Sequence, residues 1–296
     1  MNYHIISHEW LTIAKVQEII EKNIKIEIGE QAEQAVIKCR NFLDTKMKDF
    51  GRPVYGVTTG FGSLCNITIP LEDLSQLQHN LVMSHACGTG DKVRPEIVKL
   101  MLLLKIQSLC YGHSGVQLET VKRLADMFNR NIIPVVYQQG SLGASGDLAP
   151  LAHMCLPIIG MGEVYYKGAM RNAADVWAEM GWEPIKLKSK EGLALLNGTQ
   201  FMSAHAVWSI INARRISDWA DVIGTMSLEA YDGRIEPFLP QVHRVRPHQG
   251  QIETAGRILD MMKDSQIAAN AKSHVQDPYS FRCMPQVHGA AKDTLR

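Results

Sequence analysis

The chain has 296 residues, of which 46% are hydrophobic and 21% are charged; this composition is typical of globular proteins, and the length suffices for one large core or two domains. Its 31 basic and 30 acidic residues leave a formal charge of +1, which gives no electrostatic basis for binding nucleic acid or an anionic membrane surface. The six cysteines show no CxxC pair or metal-finger spacing, and no basic, apolar leader opens the chain, which predicts free thiols, no metal site and a cytoplasmic protein.

Helical periodicity of the apolar residues dominates the chain. It predicts helices over residues 30–49, 71–86, 95–111, 116–130, 201–230 and 249–272. Strand patterns are few and short, at residues 4–6 and 132–136 and in a hairpin that begins at residue 163. The helix over 201–230 would be about 45 Å long. Because it is apolar over much of its circumference, we expect other helices of this chain or other subunits to surround it.

Three glycine-rich loops, at residues 51–63, 86–90 and 138–147, separate predicted helices. The last contains Ala144-Ser145-Gly146, which could become an electrophile by itself. Attack of the Gly146 nitrogen on the Ala144 carbonyl would close a five-membered ring, and loss of water from the ring and from Ser145 would leave an exocyclic methylidene. The small residues on either side of Ser145 leave room for this step. On its own, the triplet is more commonly an ordinary flexible turn.

The flanks of the triplet carry a more specific pattern. The segment GSLGASGDLAPLAH, residues 140–153, resembles the signature of the aromatic amino acid ammonia-lyases, whose cofactor is 4-methylideneimidazol-5-one (MIO). The resemblance implies that Ala144, Ser145 and Gly146 form MIO autocatalytically, with no external cofactor.

The resemblance extends over essentially the whole chain and implies a fold. This is a mainly α fold of the ammonia-lyase/fumarase-like superfamily. Residues 1–190 would form an N-terminal, MIO-bearing domain of helices with few short strands, and residues 191–296 the beginning of a long central helical bundle. The family also forms homotetramers in which active sites are shared between subunits.

The loop over residues 52–62 carries one tyrosine, Tyr55. Such a loop is commonly a surface Ω-loop with an anchoring aromatic side chain. A tyrosine ordinarily titrates near about pH 10, so a tyrosine base needs helix N-termini or cations beside it. The loop resembles the catalytic tyrosine loop of the ammonia-lyases, which implies that Tyr55 is the base.

Ser84-His85 closes a predicted amphipathic helix. A histidine at a helix end commonly satisfies the last carbonyl groups. In the family, however, this position contacts the substrate side chain: phenylalanine lyases carry Phe-Leu here, tyrosine lyases His-Leu and histidine lyases Ser-His. The resemblance therefore implies that His85 recognises an imidazole.

Two further segments supply candidate substrate-binding residues. Asn197 could be a helix N-cap, but by resemblance it hydrogen-bonds the MIO ring and helps to bind substrate. Gln276, Tyr279 and Arg282 recur at a spacing of three residues, so a helix or turn could aim them together. Arg282 suits an α-carboxylate as a bidentate partner, although a structural ion pair is the alternative. The surrounding segment, Pro-Tyr-Ser-Phe-Arg-Cys, resembles that of the histidine-specific members of the family.

Together these resemblances imply elimination of ammonia from L-histidine to give trans-urocanate. Two alternatives remain open. One is another aromatic amino acid lyase or an aminomutase on the same scaffold, and the other is a non-catalytic assembly fragment. Members of the family continue well beyond the position of Arg296, so we expect this chain to be an N-terminal portion and, in isolation, to have weak activity or none.

Overall fold

The computed structural model describes residues 3–49 and 53–296. The chain forms two compact units, Met1–Val207 and Trp208–Arg296. The boundary between these compact units lies inside a helix that spans Gln200–Ala230. The division into domains of residues 1–190 and 191–296 concerns domain organisation in the family and stays a prediction.

The first unit is mainly helical, as predicted. Its helices are α1 (Ile13–Glu21), α2 (Glu30–Asp49), α3 (Leu74–His85), α4 (Pro95–Cys110), α5 (Leu118–Asn129), α6 (Ala149–Cys155), α7 (Ala173–Met180), α8 (Glu191–Leu196) and the first part of α9 (Gln200–Ala230).

In the described part of the chain, three small sheets accompany these helices. Their strands are β1 (Tyr3–Ile6), β2 (Lys25–Ile28), β3 (Thr89–Lys92), β4 (Ile133–Pro134), β5 (Tyr137–Gln139), β6 (Glu163–Tyr166) and β7 (Ala169–Asn172). β1 and β2 pair in parallel, with Tyr3 opposite Lys25. β3 pairs antiparallel with β5, and β4, β6 and β7 form an antiparallel sheet that includes the predicted hairpin.

Helix α4 runs through the core of the first unit. Pro95 occupies its first turn, where a missing backbone N–H costs nothing and the fixed φ favours the helix. The stretch from Leu100 to Leu103 has no solvent exposure. Lys105, a charged residue, also lies among the buried positions of this helix.

The second unit contains the rest of α9, α10 (Pro240–Arg244), α11 (Gln249–Met262), α12 (Tyr279–Arg282) and α13 (Met284–Leu295). α11 and α13 cross at Gly250 and Gly289, where a Cβ added to Gly250 would lie 2.2 Å from the Gly289 oxygen. Glycine at this crossing therefore lets the two backbones touch. A core beside the crossing is formed by Leu228, Phe238, Ala255, Ile258, Met262 and Met284.

The helix predicted over 249–272 is shorter than expected. α11 ends at Met262, so the prediction was wrong for the last ten residues. Ser265 explains the end, since its hydroxyl accepts a hydrogen bond from the Ala268 nitrogen at 3.0 Å and also contacts Glu229. A serine side chain that bonds nearby backbone in this way favours a turn over continued helix.

Helix α9 has the predicted extent and carries an exposed apolar stripe. Ile216, Trp219, Ile223 and Met226 are all exposed and recur on one face at helical spacing. Although α9 has 31 residues, neither it nor another described helix is apolar over enough of its length to cross a membrane.

Candidate active site

The Ala144-Ser145-Gly146 triplet forms a tight turn just before α6. Backbone bridges pair Gly146 with both Gly143 and Ala144, so the chain reverses direction within the triplet. Ala144 and Ser145 are exposed at this turn. The turn therefore brings the backbone of Gly146 back beside that of Ala144, and it presents Ser145 outward.

Gly146 requires the absence of a side chain for two reasons. Its φ is +97°, a value in the left-handed region where a Cβ is strained. A Cβ built on Gly146 would also lie 2.5 Å from the carbonyl oxygen of Gly198, far inside a normal contact. The turn between α8 and α9 thus packs directly on the triplet.

Asp147, which follows the triplet, hydrogen-bonds both the turn between α8 and α9 and the start of α9. Its backbone nitrogen donates to the Gly198 oxygen at 2.9 Å, and its carboxylate Oδ2 accepts from the Phe201 nitrogen at 2.7 Å, in the first turn of α9. The carboxylate therefore satisfies one of the free N–H groups at the helix start. Burial raises the pKa of Asp147, while the backbone donors of α9 and the Lys105 charge act in the opposite direction.

Asn197 lies at the C-terminal end of α8, where its nitrogen donates to the Leu193 oxygen at 3.0 Å. It is therefore not the N-cap of α9, and the capping alternative does not explain it. The Asn197 side chain is exposed and has no hydrogen bond within residues 3–49 and 53–296. Its backbone oxygen accepts from Lys105 Nζ at 3.0 Å.

His85 is the last residue of α3. Its Nδ1 lies 2.9 Å from the Leu81 oxygen and 3.2 Å from Ser84 Oγ, so the ring satisfies a helix carbonyl as the capping interpretation predicts. Within the described chain Nε2 has no hydrogen-bond partner. The two interpretations of His85 are compatible, because capping occupies one ring nitrogen and leaves the other for a ligand.

His153, on α6, connects the loop after His85 to the helix after the triplet. Its Nε2 accepts from the Gly88 nitrogen at 2.9 Å, and its ring packs edge-on against Tyr137 with centroids 5.1 Å apart. Because Nε2 accepts this bond, the structure needs a neutral His153, and burial lowers its pKa accordingly.

This dependence on a neutral ring makes His153 a source of acid sensitivity. Since the pKa of His153 is lowered from the ordinary 6.5, the unfolded chain binds the proton more readily than the folded chain. The stability from this group is complete above about pH 6.5 and is lost as the pH falls toward the folded pKa, with a slope of at most about 1.4 kcal/mol per pH unit.

We therefore expect the melting temperature of the protein to fall between pH 7 and pH 5, and we expect His153→Gln to reduce that fall. The glutamine oxygen can still accept from Gly88 but does not titrate in this range. Thermal denaturation at both pH values measures the effect, and His248→Gln, at an exposed histidine, is the control. Equal pH dependence in wild type and His153→Gln would contradict this role.

Tyr55 lies in a loop with a buried base. Thr58 and Thr59 are buried, and their hydroxyls accept from the Val54 nitrogen at 2.9 Å and the Gly56 nitrogen at 3.3 Å. Tyr55 itself is 55% exposed. The loop base is thus fixed while its tyrosine reaches solvent. The first two residues of the predicted loop, 51 and 52, lie outside the described residues.

The Tyr55 ring meets Phe61 edge-on, with centroids 6.0 Å apart, a favourable aromatic geometry. Its hydroxyl lies 3.5 Å from the Gly62 nitrogen, at the outer limit of hydrogen bonding. Neither contact places a cation beside the hydroxyl.

The second unit brings Gln276, Tyr279 and Arg282 together. The Arg282 guanidinium lies over the Tyr279 ring at 4.1 Å. With its side-chain oxygen turned toward Arg282, Gln276 accepts from all three guanidinium nitrogens at 3.2–3.3 Å. Arg282 Nε also donates to the backbone oxygen of Asp277 at 3.0 Å.

Arg282 forms no ion pair with any carboxylate of residues 3–49 and 53–296, so the alternative of a structural ion pair is not observed. It lines a cleft of about 390 Å³ together with Gln276 and Cys283. A guanidinium held by neutral groups at a cleft can accept an anionic ligand.

A family model for aromatic amino acid lyases matches residues 11–296. The chain belongs to the aromatic amino acid lyase family. A histidine ammonia-lyase of Streptococcus pyogenes serotype M1 is 43% identical over 288 residues, which cover 97% of this chain and 56% of the relative. Among solved structures, histidine ammonia-lyase from Trypanosoma cruzi has a TM-score of 0.86 and 38% identity, covering 100% of this chain and 55% of the other.

The similarity also includes a phenylalanine aminomutase from Pantoea agglomerans, with a TM-score of 0.90 and 30% identity, covering 100% of this chain and 60% of the other. The chain spans about half the length of the curated relatives it matches. The chain has the ammonia-lyase/fumarase-like fold that its sequence predicts.

The residues of this chain fit the MIO group that its family uses. At Gly146 the backbone approaches Gly198 so closely that a Cβ would overlap the Gly198 oxygen. Beside the same turn, the side-chain oxygen of Gln200 is buried without a hydrogen-bond partner in the described part of the chain. A backbone approach that only glycine allows and an unused polar atom therefore lie beside the triplet.

Lys105, Asp147 and His153 were not among the residues predicted for the site. Lys105 gave the clearest available signal, because it directly follows the most apolar run of the chain, residues 100–104, and a lysine is costly to bury. Asp147 and His153 lay within the signature segment itself. The residue types alone did not reveal their partners Phe201 and Gly88.

Proposed function

We propose that this chain takes part in the elimination of ammonia from L-histidine to give trans-urocanate, through a MIO group formed from Ala144, Ser145 and Gly146. The observation that carries the proposal is the tight turn of this triplet against Gly198, since it brings the two backbone groups that must react close together. The 43% identity to histidine ammonia-lyases supports histidine as the substrate.

The chemical difficulty of the reaction is that an amine leaves poorly and that a β-proton is weakly acidic. MIO supplies an electrophile that makes the amino group a better leaving group. Tyr55 takes the β-proton, and its exposure in an anchored loop allows it to reach a substrate.

The remaining candidates bind and orient the substrate. Arg282, supported by Gln276 and Tyr279, holds the α-carboxylate. His85 offers Nε2 to the imidazole because Nδ1 is bonded to Leu81. Asn197, whose exposed amide has no hydrogen bond within the described residues, helps to bind the substrate and the MIO ring. Holding the reacting groups in place in this way lowers the entropic part of the barrier.

We further propose that copies of the chain assemble as a homotetramer with shared active sites and act in the cytoplasm. The exposed apolar stripe of α9 is consistent with such an assembly, because exposed apolar surface of this kind is commonly covered by another helix.

The substrate is tested by incubating the protein, expressed from its natural reading frame, with histidine, tyrosine or phenylalanine. We expect the ultraviolet absorbance of urocanate to appear with histidine and little arylacrylate from the other two, because His85 and Ser84 match an imidazole. Preferential turnover of phenylalanine or tyrosine would contradict histidine specificity. A β-amino acid product would instead indicate an aminomutase.

A further inference from the structure

Lys105 is a buried cation that the proposed reaction does not use. It is 1% exposed and lies on α4, whose neighbouring positions are apolar. Its Nζ donates to the backbone oxygen of Asn197 at 3.0 Å, across 92 positions of sequence. Burial lowers the pKa of Lys105 to about 8, and the charge of Asp147 opposes that change. Burying an ammonium group among apolar side chains costs free energy unless the group is hydrogen-bonded. The group that Lys105 bonds therefore indicates what its burial supports.

The partner is the turn on which the triplet packs. Asn197 and Gly198 are the first two residues of the three-residue connection between α8 and α9. The Gly198 oxygen accepts from the Asp147 nitrogen at 2.9 Å, and it lies 2.5 Å from where a Gly146 Cβ would be. Lys105 therefore bonds Asn197, and the next residue, Gly198, contacts the triplet. Displacement of the turn would move the surface against which Gly146 and Asp147 are held.

Formation of MIO depends on that placement. The Gly146 nitrogen forms a bond to the Ala144 carbonyl carbon, and the carbonyl oxygen leaves as water with one hydrogen from each of the Gly146 and Ser145 nitrogens. The Ser145 hydroxyl then leaves as a second water with the hydrogen of its own Cα. No oxidant or reductant is needed. Amide nitrogen is a weak nucleophile, so the rate of the first step depends on how closely the two backbone groups are held.

We propose that Lys105 is a positioning residue for this cyclisation, in which its ammonium holds the Asn197–Gly198 turn against Gly146 and Asp147. The inference rests on the proposed MIO chemistry. Lys105 then affects the rate at which the triplet dehydrates, separately from any effect on the free energy of unfolding.

The test compares Lys105→Met, Lys105→Gln and Lys105→Arg in protein expressed from the natural reading frame. Intact-mass spectrometry of the folded fraction, taken at fixed times after synthesis, measures the loss of two waters, about 36 Da. We expect dehydration about tenfold slower or more in Lys105→Met, since small misplacements of reacting groups have effects of this size. Lys105→Gln should be intermediate, and Lys105→Arg, which keeps the charge and donors, should restore most of the rate.

Lys99→Met is the matched control, because Lys99 lies on the same helix but bonds Asn23 and Asn131, away from the turn. It should dehydrate like wild type. A purely structural Lys105 would lower the melting temperature without changing the mass of the folded fraction. Wild-type dehydration in folded Lys105→Met or Lys105→Gln, or failure of both to fold, would overturn the proposal. Absence of the mass loss from wild type itself would instead refute the MIO chemistry.

Discussion

Replacing Ser145 by alanine is expected to abolish both the loss of about 36 Da and the elimination of ammonia. The hydroxyl of Ser145 is the group that must leave to create the methylidene, and alanine has no such group. Because Ser145 is exposed at the turn, its removal leaves the packing of Gly146 on Gly198 intact. We expect the turnover number to fall on the order of 10⁴-fold or more, given that enzymes commonly gain at least about 10⁶-fold over the uncatalysed reaction.

Ser141→Ala provides the matched control for this experiment. Ser141 is also exposed and lies in the same segment, four residues before Ser145, but it has no part in the ring. Intact mass, urocanate absorbance and circular dichroism should all match wild type for Ser141→Ala. If Ser145→Ala kept substantial turnover while folded, the proposed electrophile would be wrong.

The sequence predicts the regular elements well where apolar periodicity and local breakers agree. The extents of α2, α4 and α5 follow from apolar stripes, and α4 begins at Pro95 as expected. The limits appear at α11, where periodicity continues past Met262 but the Ser265 side chain ends the helix. The parallel partner strand β2 was not predicted, although Ile26 and Ile28 alternate with polar residues, because four residues give a weak periodic signal.

In the candidate site, some features depend on neighbouring residues and others on contacts between residues that are distant in sequence. The need for glycine at residue 146 is partly local, since its φ lies in the left-handed region. The other part comes from Gly198, which is distant in sequence. The bonds from Lys105 to Asn197 and from Gly88 to His153 likewise span 92 and 65 positions. Periodicity cannot reveal such contacts, because they depend on how complete helices pack.

The roles of the candidate residues depend both on resemblance to the family and on the observed contacts of their side chains. Ser84-His85 and the segment around Arg282 only resemble histidine-specific members of the family, whereas the structure shows that His85 Nε2 has no hydrogen-bond partner within the described residues. It also shows Arg282 supported by Gln276 and Tyr279. These observations make the proposed roles physically possible. Substitutions that separate formation of the electrophile from its use are therefore the decisive tests.

Replacing Tyr55 by phenylalanine is expected to lower kcat by about 10²- to 10⁴-fold, the usual contribution of a general base, while the loss of about 36 Da remains complete. Phenylalanine keeps the edge-on contact with Phe61 and removes only the hydroxyl, so the loop and KM should change little. Steady-state kinetics with histidine and intact mass of the same sample measure the two effects together.

Tyr165→Phe, in β6, is the control for loss of a tyrosine hydroxyl elsewhere in the first unit, and it should retain wild-type kcat. Ser145→Ala and Tyr55→Phe then separate two proposed functions: Ser145→Ala removes the mass loss and turnover together, whereas Tyr55→Phe removes turnover alone. Wild-type kcat in Tyr55→Phe would exclude its hydroxyl as the base. Loss of the 36 Da change in that variant would instead place Tyr55 in the formation of MIO, because the base is needed only after the electrophile exists.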